Sequence, residues 1–293
     1  MGSLKCPSPL SLLQRRIKDE ATKLKPSYLC ARILDMNLSV TLIQSDIHWE
    51  DIAANLAMFG NKISSIKEST DLILLPEMFS TGFTMNAERL AEPMDGQTMS
   101  WLKEKAKEKN AVISGSFIAK ENGKYFNRLI WMRPDGRYEV YDKRHLFSYG
   151  DENNHYTAGN KKIIVELKGF KILPLICYDL RFPVWSRNTG DYDVLIYVAN
   201  WPERRAYPFK QLLIARAIEN QSYVIGLNRV GNDGNNIYYH GASLVADMKG
   251  EVLFEKDKDK EEAVATITLS KEKLDEFRNE FRAWADRDEF KIL

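Results

Sequence analysis

Three residues of this 293-residue chain stand where an apolar strand gives way to polar sequence, and each carries a side chain able to do chemistry. Cys177 ends the run Ile172-Leu-Pro-Leu-Ile-Cys177 and is followed by Tyr178-Asp-Leu-Arg-Phe-Pro183. Pro183 is a helix-start signal, so the thiol is expected at a strand-to-helix turn. A helix N-terminus beside a thiol lowers its pKa and makes it the better nucleophile. Backbone N–H groups at such a turn can also hold an oxyanion. The plainer role for a cysteine in an apolar strand is a small buried hydrophobe. A thiol nucleophile needs a base. His48, His145, His155 and His240 are available, but none lies in a protease signature. Glu77 is the other candidate. It closes Leu72-Ile-Leu-Leu-Pro-Glu77, where a carboxylate is costly unless it is used, paired or solvated. Lys143 lies in Tyr141-Asp-Lys-Arg-His-Leu-Phe147, after a further strand. Beside a carboxylate and a thiol it would serve a developing oxyanion; otherwise it is an ordinary exposed lysine. His145, Asp151, Glu152 and His155 invite a metal reading, but their spacing matches no zinc signature.

The elements that must position these groups alternate. Leu38–Gln44 and Asp71–Pro76 read as strands, with helical spacing of apolar residues over Trp49–Ser69 between them. A charged helix over Thr98–Lys109 leads to a strand over Ala111–Ala119. Arg133-Pro-Asp-Gly136 then turns a hairpin between Leu129–Met132 and Tyr138–Tyr141. Lys171–Cys177 and Val194–Ala199 are apolar strands, followed by a helix over Tyr207–Asn220. Strands over Tyr223–Leu227, Ala242–Ala246, Val252–Phe254 and Ala263–Leu269 precede a last helix, Ser270–Phe281, capped by Ser270. Alternation broken by hairpins predicts an α/β protein with mixed sheets.

Composition narrows the class. Hydrophobic residues make 44% of the chain and charged residues 28%, which excludes wholesale disorder. Lys plus Arg (42) balances Asp plus Glu (41), so no charge excess points to nucleic acid or an anionic membrane. The apolar runs are strand-length, too short to span a bilayer. Three cysteines, Cys6, Cys30 and Cys177, make a poor disulfide framework and point to a reducing compartment, the cytoplasm. Residues 1–35 carry seven Lys/Arg against three Asp/Glu and Pro breaks at Pro9 and Pro26, with an amphipathic helix possible over Gln14–Lys25. They read as an amino-terminal extension or leader, and residues 36–293 as one domain.

Leu74-Leu-Pro-Glu77-Met-Phe, Tyr141-Asp-Lys143-Arg-His-Leu-Phe and Cys177-Tyr-Asp-Leu-Arg-Phe-Pro resemble the three motifs of the nitrilase superfamily of carbon–nitrogen hydrolases, in the family's order. Tyr178–Asn188, Ala199-Asn-Trp-Pro202 and Ala215-Arg-Ala-Ile-Glu-Asn-Gln221 resemble its omega-amidase branch. The resemblance covers most of the chain after residue 38. It implies a four-layer αββα sandwich with Cys177 as nucleophile, Glu77 as general base and acid, and Lys143 with the Tyr178 N–H as oxyanion donors. It implies a second glutamate, matched by Glu152, and a substrate pocket that includes Tyr178, Arg181, Phe147 and Trp201.

The branch implies hydrolysis of a small-molecule amide, the ω-amide of 2-oxoglutaramate or 2-oxosuccinamate, through a cysteine thioester with no metal or organic cofactor. Such a substrate carries a carboxylate, for which Arg181, Arg204 and Arg205 are candidate anchors. Relatives of the family pair through helical faces, so a homodimer or larger assembly is expected. The competing readings are an aliphatic amidase, an N-carbamoyl hydrolase, a nitrilase, a Cys/His or metal hydrolase using His145 and His155, and a non-catalytic interaction protein on the same scaffold.

Overall fold

A computed structural model describes residues 37–256 and 261–292. The extension expected over residues 1–35, with its helix at Gln14–Lys25, lies outside them. The chain opens with β1 (Asn37–Gln44), α1 (Ile52–Ser65), β2 (Leu72–Leu74), α2 (Ala87–Leu90), α3 (Gln97–Lys109), β3 (Val112–Glu121), β4 (Lys124–Met132) and β5 (Tyr138–Asp142). After α4 (Glu152–His155) come β6 (Val165–Leu167), β7 (Phe170–Ile176), α5 (Pro183–Ser186), β8 (Val194–Val198), α6 (Ala206–Asn220) and β9 (Tyr223–Leu227). The hairpin β10 (Val230–Asn232) and β11 (Tyr238–His240) precedes β12 (Leu244–Ala246), β13 (Val252–Glu255), β14 (Ala263–Ser270) and α7 (Lys271–Glu280).

Two six-stranded sheets result, in the orders β14-β1-β2-β3-β4-β5 and β13-β12-β9-β8-β7-β6. Both are mixed. β1, β2 and β3 run parallel and β3–β4–β5 antiparallel, while β7, β8 and β9 run parallel with antiparallel strands outside them. Strand side chains alternate between faces. Leu38, Val40, Leu42, Leu72 and Leu74 therefore pack toward the second sheet, in one cluster with Leu173, Leu175 and Tyr197. On the opposite face Ile43, Ile73 and Ile113 meet Leu56, Phe59 and Ile63 of α1 and Leu102 and Ala106 of α3. Phe209, Leu213 and Ala217 of α6 and Leu274 of α7 cover the second sheet. This is the expected αββα sandwich.

Local chemistry sets the boundaries. Asp51 caps α1 by accepting from Ala54 N at 2.9 Å, so the helix starts later than its apolar spacing suggests. Ser270 caps α7 as expected, accepting from Lys273 N. Two hairpins escape the sequence reading. Lys168 and Gly169, both at positive φ, turn β6 into β7, and residues 233–237 turn β10 into β11. β4 also starts five residues before the expected Leu129, and so takes Asn127 into the sheet.

Candidate active site

Cys177 follows β7 directly and adopts φ = +40°, a left-handed conformation that costs a residue with a Cβ about 1–3 kcal/mol. It opens a 3-10 turn, Cys177–Arg181, and Pro183 then starts the one-turn helix α5, as its helix-start signal suggested. The turn is held by Asp179, which is fully buried. Its Oδ2 accepts from Tyr141 Oη (2.7 Å) and Ile176 N (3.1 Å), and its Oδ1 accepts from His145 N (3.0 Å) and bonds His145 Nδ1 (2.8 Å). One carboxylate thus fastens the cysteine turn to the segment that carries Lys143.

The charged groups come from the first sheet. Glu77 lies beyond β2, in a segment fixed to β3 by Met78 N donating to Ser116 Oγ (2.9 Å) and Phe79 N to Ser116 O. Lys143 follows β5, its backbone N–H donating to Asn127 O at 3.0 Å. Glu152 opens α4. All three are buried, and Lys143 Nζ donates to Glu77 Oε1 (2.8 Å) and to Glu152 Oε2 (2.8 Å) and Oε1 (3.1 Å). Phe147 N donates to Glu152 Oε2 at 2.6 Å. Asn127 Nδ2 donates to both carboxylates, at 2.8 Å to Glu77 Oε1 and 3.0 Å to Glu152 Oε1. From the second sheet, Asn200 N donates to Glu77 Oε2 (2.9 Å), Asn200 Nδ2 to Glu77 O (2.6 Å), and Cys177 Sγ lies 3.9 Å from Asn200 O.

Electrostatics follow burial. Glu152 and Glu77 together hold the Lys143 ammonium firmly protonated against the cost of its burial. Burial pushes the Glu152 carboxyl up, Lys143 opposes this, and repulsion from Glu77 adds to it. Burial and the neighbouring Glu77 push the Cys177 thiol well up. This corrects the expectation of a lowered thiol. Cys177 sits at a one-turn element in an enclosed site, and the nearest carboxylate outweighs any gain from backbone dipoles.

Above these groups lies a cavity of about 510 Å³. Lys143, Cys177 and Asn200 line it together with Phe147, Tyr178, Arg181 and Trp201, and with Arg204 and Arg205. The Arg181 guanidinium lies 4.9 Å from the Trp201 ring centre, Arg205 5.0 Å from Phe147, and Arg204 5.9 Å from Tyr149. Among the described residues no carboxylate pairs with these three arginines. Burial, reinforced by Arg204 and Arg181, pushes the Arg205 guanidinium down. The lining also includes Asn235, Ile237 and Tyr239 of the β10–β11 hairpin.

Tyr178, Arg181, Phe147, Trp201, Lys143 and Cys177 line the cavity, and Glu77 and Glu152 lie in the hydrogen-bonded cluster beneath it. The histidines do not join them. His145 is stacked on Phe182 (3.7 Å, 7°) and bound to Asp179, and His155 pairs with exposed Asp151. Among the described residues no three metal-ligating side chains converge. Asp151, next to Glu152 in sequence, is exposed and pairs with Asn154 and His155. Asn127 and the β10–β11 hairpin had no motif to announce them, and Asn200 lay in the Ala199–Pro202 string with no role assigned to it. Asn127 carries one usable signal, a poor strand former inside an apolar strand.

The comparisons with known proteins bear on the family. The family model for carbon-nitrogen hydrolases matches residues 39–279. The omega-amidase YafV of Escherichia coli (strain K12) is 46% identical over 255 residues, covering 87% of this chain and 98% of that one. A 2-oxoglutaramate amidase of Bacillus subtilis (strain 168) is 35% identical over 225 residues, covering 75% and 86%. Among solved structures, XC1258 of Xanthomonas campestris, described as a CN-hydrolase superfamily protein with an arsenic adduct in its active site, superposes with a TM-score of 0.85 at 42% identity, covering 87% and 99%. By its profile match, its relatives and its architecture, this chain belongs to the carbon–nitrogen hydrolase family.

Proposed function

We propose that the protein is an ω-amidase. It hydrolyses the amide of a short 2-oxo dicarboxylate monoamide, 2-oxoglutaramate or 2-oxosuccinamate, to the diacid and ammonia. One observation carries the reading: a buried thiol, ammonium and paired glutamates at the floor of a cavity whose wall holds three arginines with no carboxylate partner among the described residues. The floor suits amide hydrolysis, and the wall suits a substrate with a carboxylate away from its scissile bond. The names of the E. coli and B. subtilis relatives support the same substrate class.

The mechanism follows from the thiol's raised pKa. Cys177 rests protonated, so Glu77 must take its proton as Sγ attacks the amide carbon. The carbonyl oxygen gains charge and meets the Lys143 ammonium and the Tyr178 N–H; losing one such donor typically costs about 10²–10³ in rate. Glu77 returns the proton to nitrogen, the C–N bond breaks and ammonia leaves. Water then gives a proton to Glu77 and adds to the thioester. The second tetrahedral adduct collapses with C–S cleavage, and the thiolate recovers its proton from Glu77. Glu152 keeps Lys143 charged and in place. The thiol must stay reduced, which fits a cytoplasmic enzyme. The exposed apolar side chains of Val184, Tyr207 and Ile218 support a homodimer, for which light scattering would give twice 33.8 kDa.

The test is ammonia release from a panel of 2-oxoglutaramate, 2-oxosuccinamate, butyramide, an N-carbamoyl amino acid and a nitrile, with Cys177→Ser as the control. The 2-oxo acid amides should exceed butyramide by about 10²-fold in kcat/KM, the worth of one or two charge-assisted hydrogen bonds. Cys177→Ser should fold normally and be inactive. Equal turnover of butyramide would make the enzyme a general aliphatic amidase, and an active Cys177→Ser variant would remove the nucleophile assignment.

A further inference from the structure

Asn127 belongs to no catalytic motif, yet it sits where the charged groups are tied together. It lies in β4 opposite Ile118, one residue before Arg128, which pairs with Asp142 of β5. That register puts Asn127 beside Lys143, whose backbone N–H it receives. Its side chain is fully buried and is not among those that line the cavity. Its two amide hydrogens are divided, one to Glu77 Oε1 and one to Glu152 Oε1. Its own Oδ1 has no hydrogen-bond partner among the described residues. A buried, unsatisfied amide oxygen is a standing cost. The fold accepts it here because the reverse orientation would aim that oxygen at two carboxylates.

The consequence falls on Glu77. Its Oε1 already accepts from both Lys143 Nζ and Asn127 Nδ2, which occupies its in-plane lone pairs. Among the described residues its Oε2 accepts a backbone hydrogen bond from Asn200 N, Cys177 Sγ lies 3.9 Å from Asn200 O, and the thiol has Glu77 as a hydrogen-bonding neighbour. The less occupied oxygen of Glu77 is thus the one held by Asn200, the residue whose carbonyl Cys177 Sγ approaches. We propose that Asn127 is a positioning residue: by donating to both glutamates at once, it makes Oε1 of Glu77 the spectator oxygen and directs the Cys177 proton to Oε2. The role rests on Glu77 acting as the base, as in the proposed function. The groups facing the pair are Lys143 from the end of β5, Cys177 beyond β7, and two buried phenols, Tyr156 after α4, which senses both carboxylates, and Tyr239 of β11, which senses Glu77.

The test compares Asn127→Asp with Asn127→Ala. Aspartate keeps the shape and supplies acceptors where donors are required; alanine removes both. If Asn127 only fills space, Asn127→Asp stays close to the parent. If it donates, Asn127→Asp loses kcat by about tenfold or more, at least as much as Asn127→Ala, with KM nearly unchanged because the cavity wall is intact. The acid limb of kcat/KM moves to higher pH in both variants, since a carboxylate pair that loses a donor takes up a proton more readily. The same limb is read without any amide substrate, from the pH dependence of Cys177 alkylation by iodoacetamide. Thermal melts establish that each variant folds, and Asn127→Asp alone suffices if alanine does not. Parent-like kcat and an unmoved alkylation profile in Asn127→Asp overturn the proposal. If the parent releases no ammonia from the amide panel while the alkylation limb still moves, the functional reading fails and the positioning role stands.

Discussion

Asp179→Asn changes one atom in a side chain that accepts four hydrogen bonds. Tyr141 Oη and Ile176 N donate to one oxygen; His145 N and His145 Nδ1 lie on the other. Whichever way the amide is placed, its NH2 group meets a backbone N–H. The phenol cannot simply reverse its role, because it already accepts from Trp185 Nε1 (3.0 Å) and Arg144 N (3.2 Å). One buried N–H is stranded at about 1–3 kcal/mol, and the surviving bonds lose their charge assistance, so the cost is about 3–5 kcal/mol. For a domain of this size each kcal/mol lowers Tm by about 2–4 °C, so a fall of roughly 10 °C is expected. The two stranded candidates are Ile176 N, beside the nucleophile, and His145 N, two residues beyond Lys143. A shift of about 1 Å in either costs about 10² in kcat, while KM should change little because the arginine wall is untouched. The assay is a melt together with steady-state ammonia release. Asp142→Asn, which weakens a half-buried pair with Arg128, serves as the control for loss of a carboxylate as such. A variant within 2 °C and about threefold of the parent would show that Asp179 does not hold the two arms of the site, and the reasoning fails.

Gly159→Ala should also damage the site from outside it. An added Cβ would lie 2.1 Å from the Asp142 carbonyl oxygen, and Gly159 N donates to Lys143 O at 2.9 Å, so the clash must displace the lysine segment. A lowered melting temperature with kcat reduced at least about tenfold is expected; parent-like values would mean the loop relaxes freely. High pH should unfold the protein steeply. Burial raises the pKa of Tyr141, Tyr156, Tyr192, Tyr197 and Tyr239, so the folded state keeps protons that the unfolded chain releases above about pH 10. Their contribution is whole below that pH and declines above it, by about 1 kcal/mol each between pH 10 and 11, or about 5 kcal/mol together. Urea midpoints at pH 8, 10 and 11 measure this, and a flat series would show that the phenols ionise in the folded state.

The sequence announces those parts of the site that lie at abrupt local transitions. Glu77, Lys143 and Cys177 each follow an apolar strand, and the change from apolar to polar is visible within a few residues. Glu152 was readable only through its resemblance to the family, since Asp151 beside it has the same chemistry and only the fold turns one inward. Asn127 was missed because the apolar pattern marks β4 only from Leu129, although the strand begins at Lys124. The direction of the thiol shift was missed for a different reason: helix-terminus reasoning is local, whereas the raised pKa comes from burial and from a carboxylate 100 residues away in sequence. The β10–β11 hairpin, three residues a strand, lies below the length at which period-two alternation can be recognised. Most strand and helix centres were legible because aliphatic alternation and helical spacing are strong there; their ends were set by caps and turns.

Glu77, Asn127, Lys143 and Glu152 ride on one sheet, whereas Cys177, Tyr178, Asn200 and Trp201 ride on the other. Catalysis is therefore a gauge of how the two halves of the sandwich are docked. Secondary structure belongs to each sheet separately, but no single sheet owns a working nucleophile. Mild urea that loosens the inter-sheet contact should silence turnover before far-UV circular dichroism changes. The converse also holds. A competitive ligand in the cavity spans Lys143 on one half and Cys177 on the other, so it acts as a clasp, stabilising the docked state by RT ln(1 + [L]/Kd), about 2.7 kcal/mol at a hundredfold excess over Kd. In a cell the substrate itself would supply that clasp, making the enzyme most robust when it is busiest.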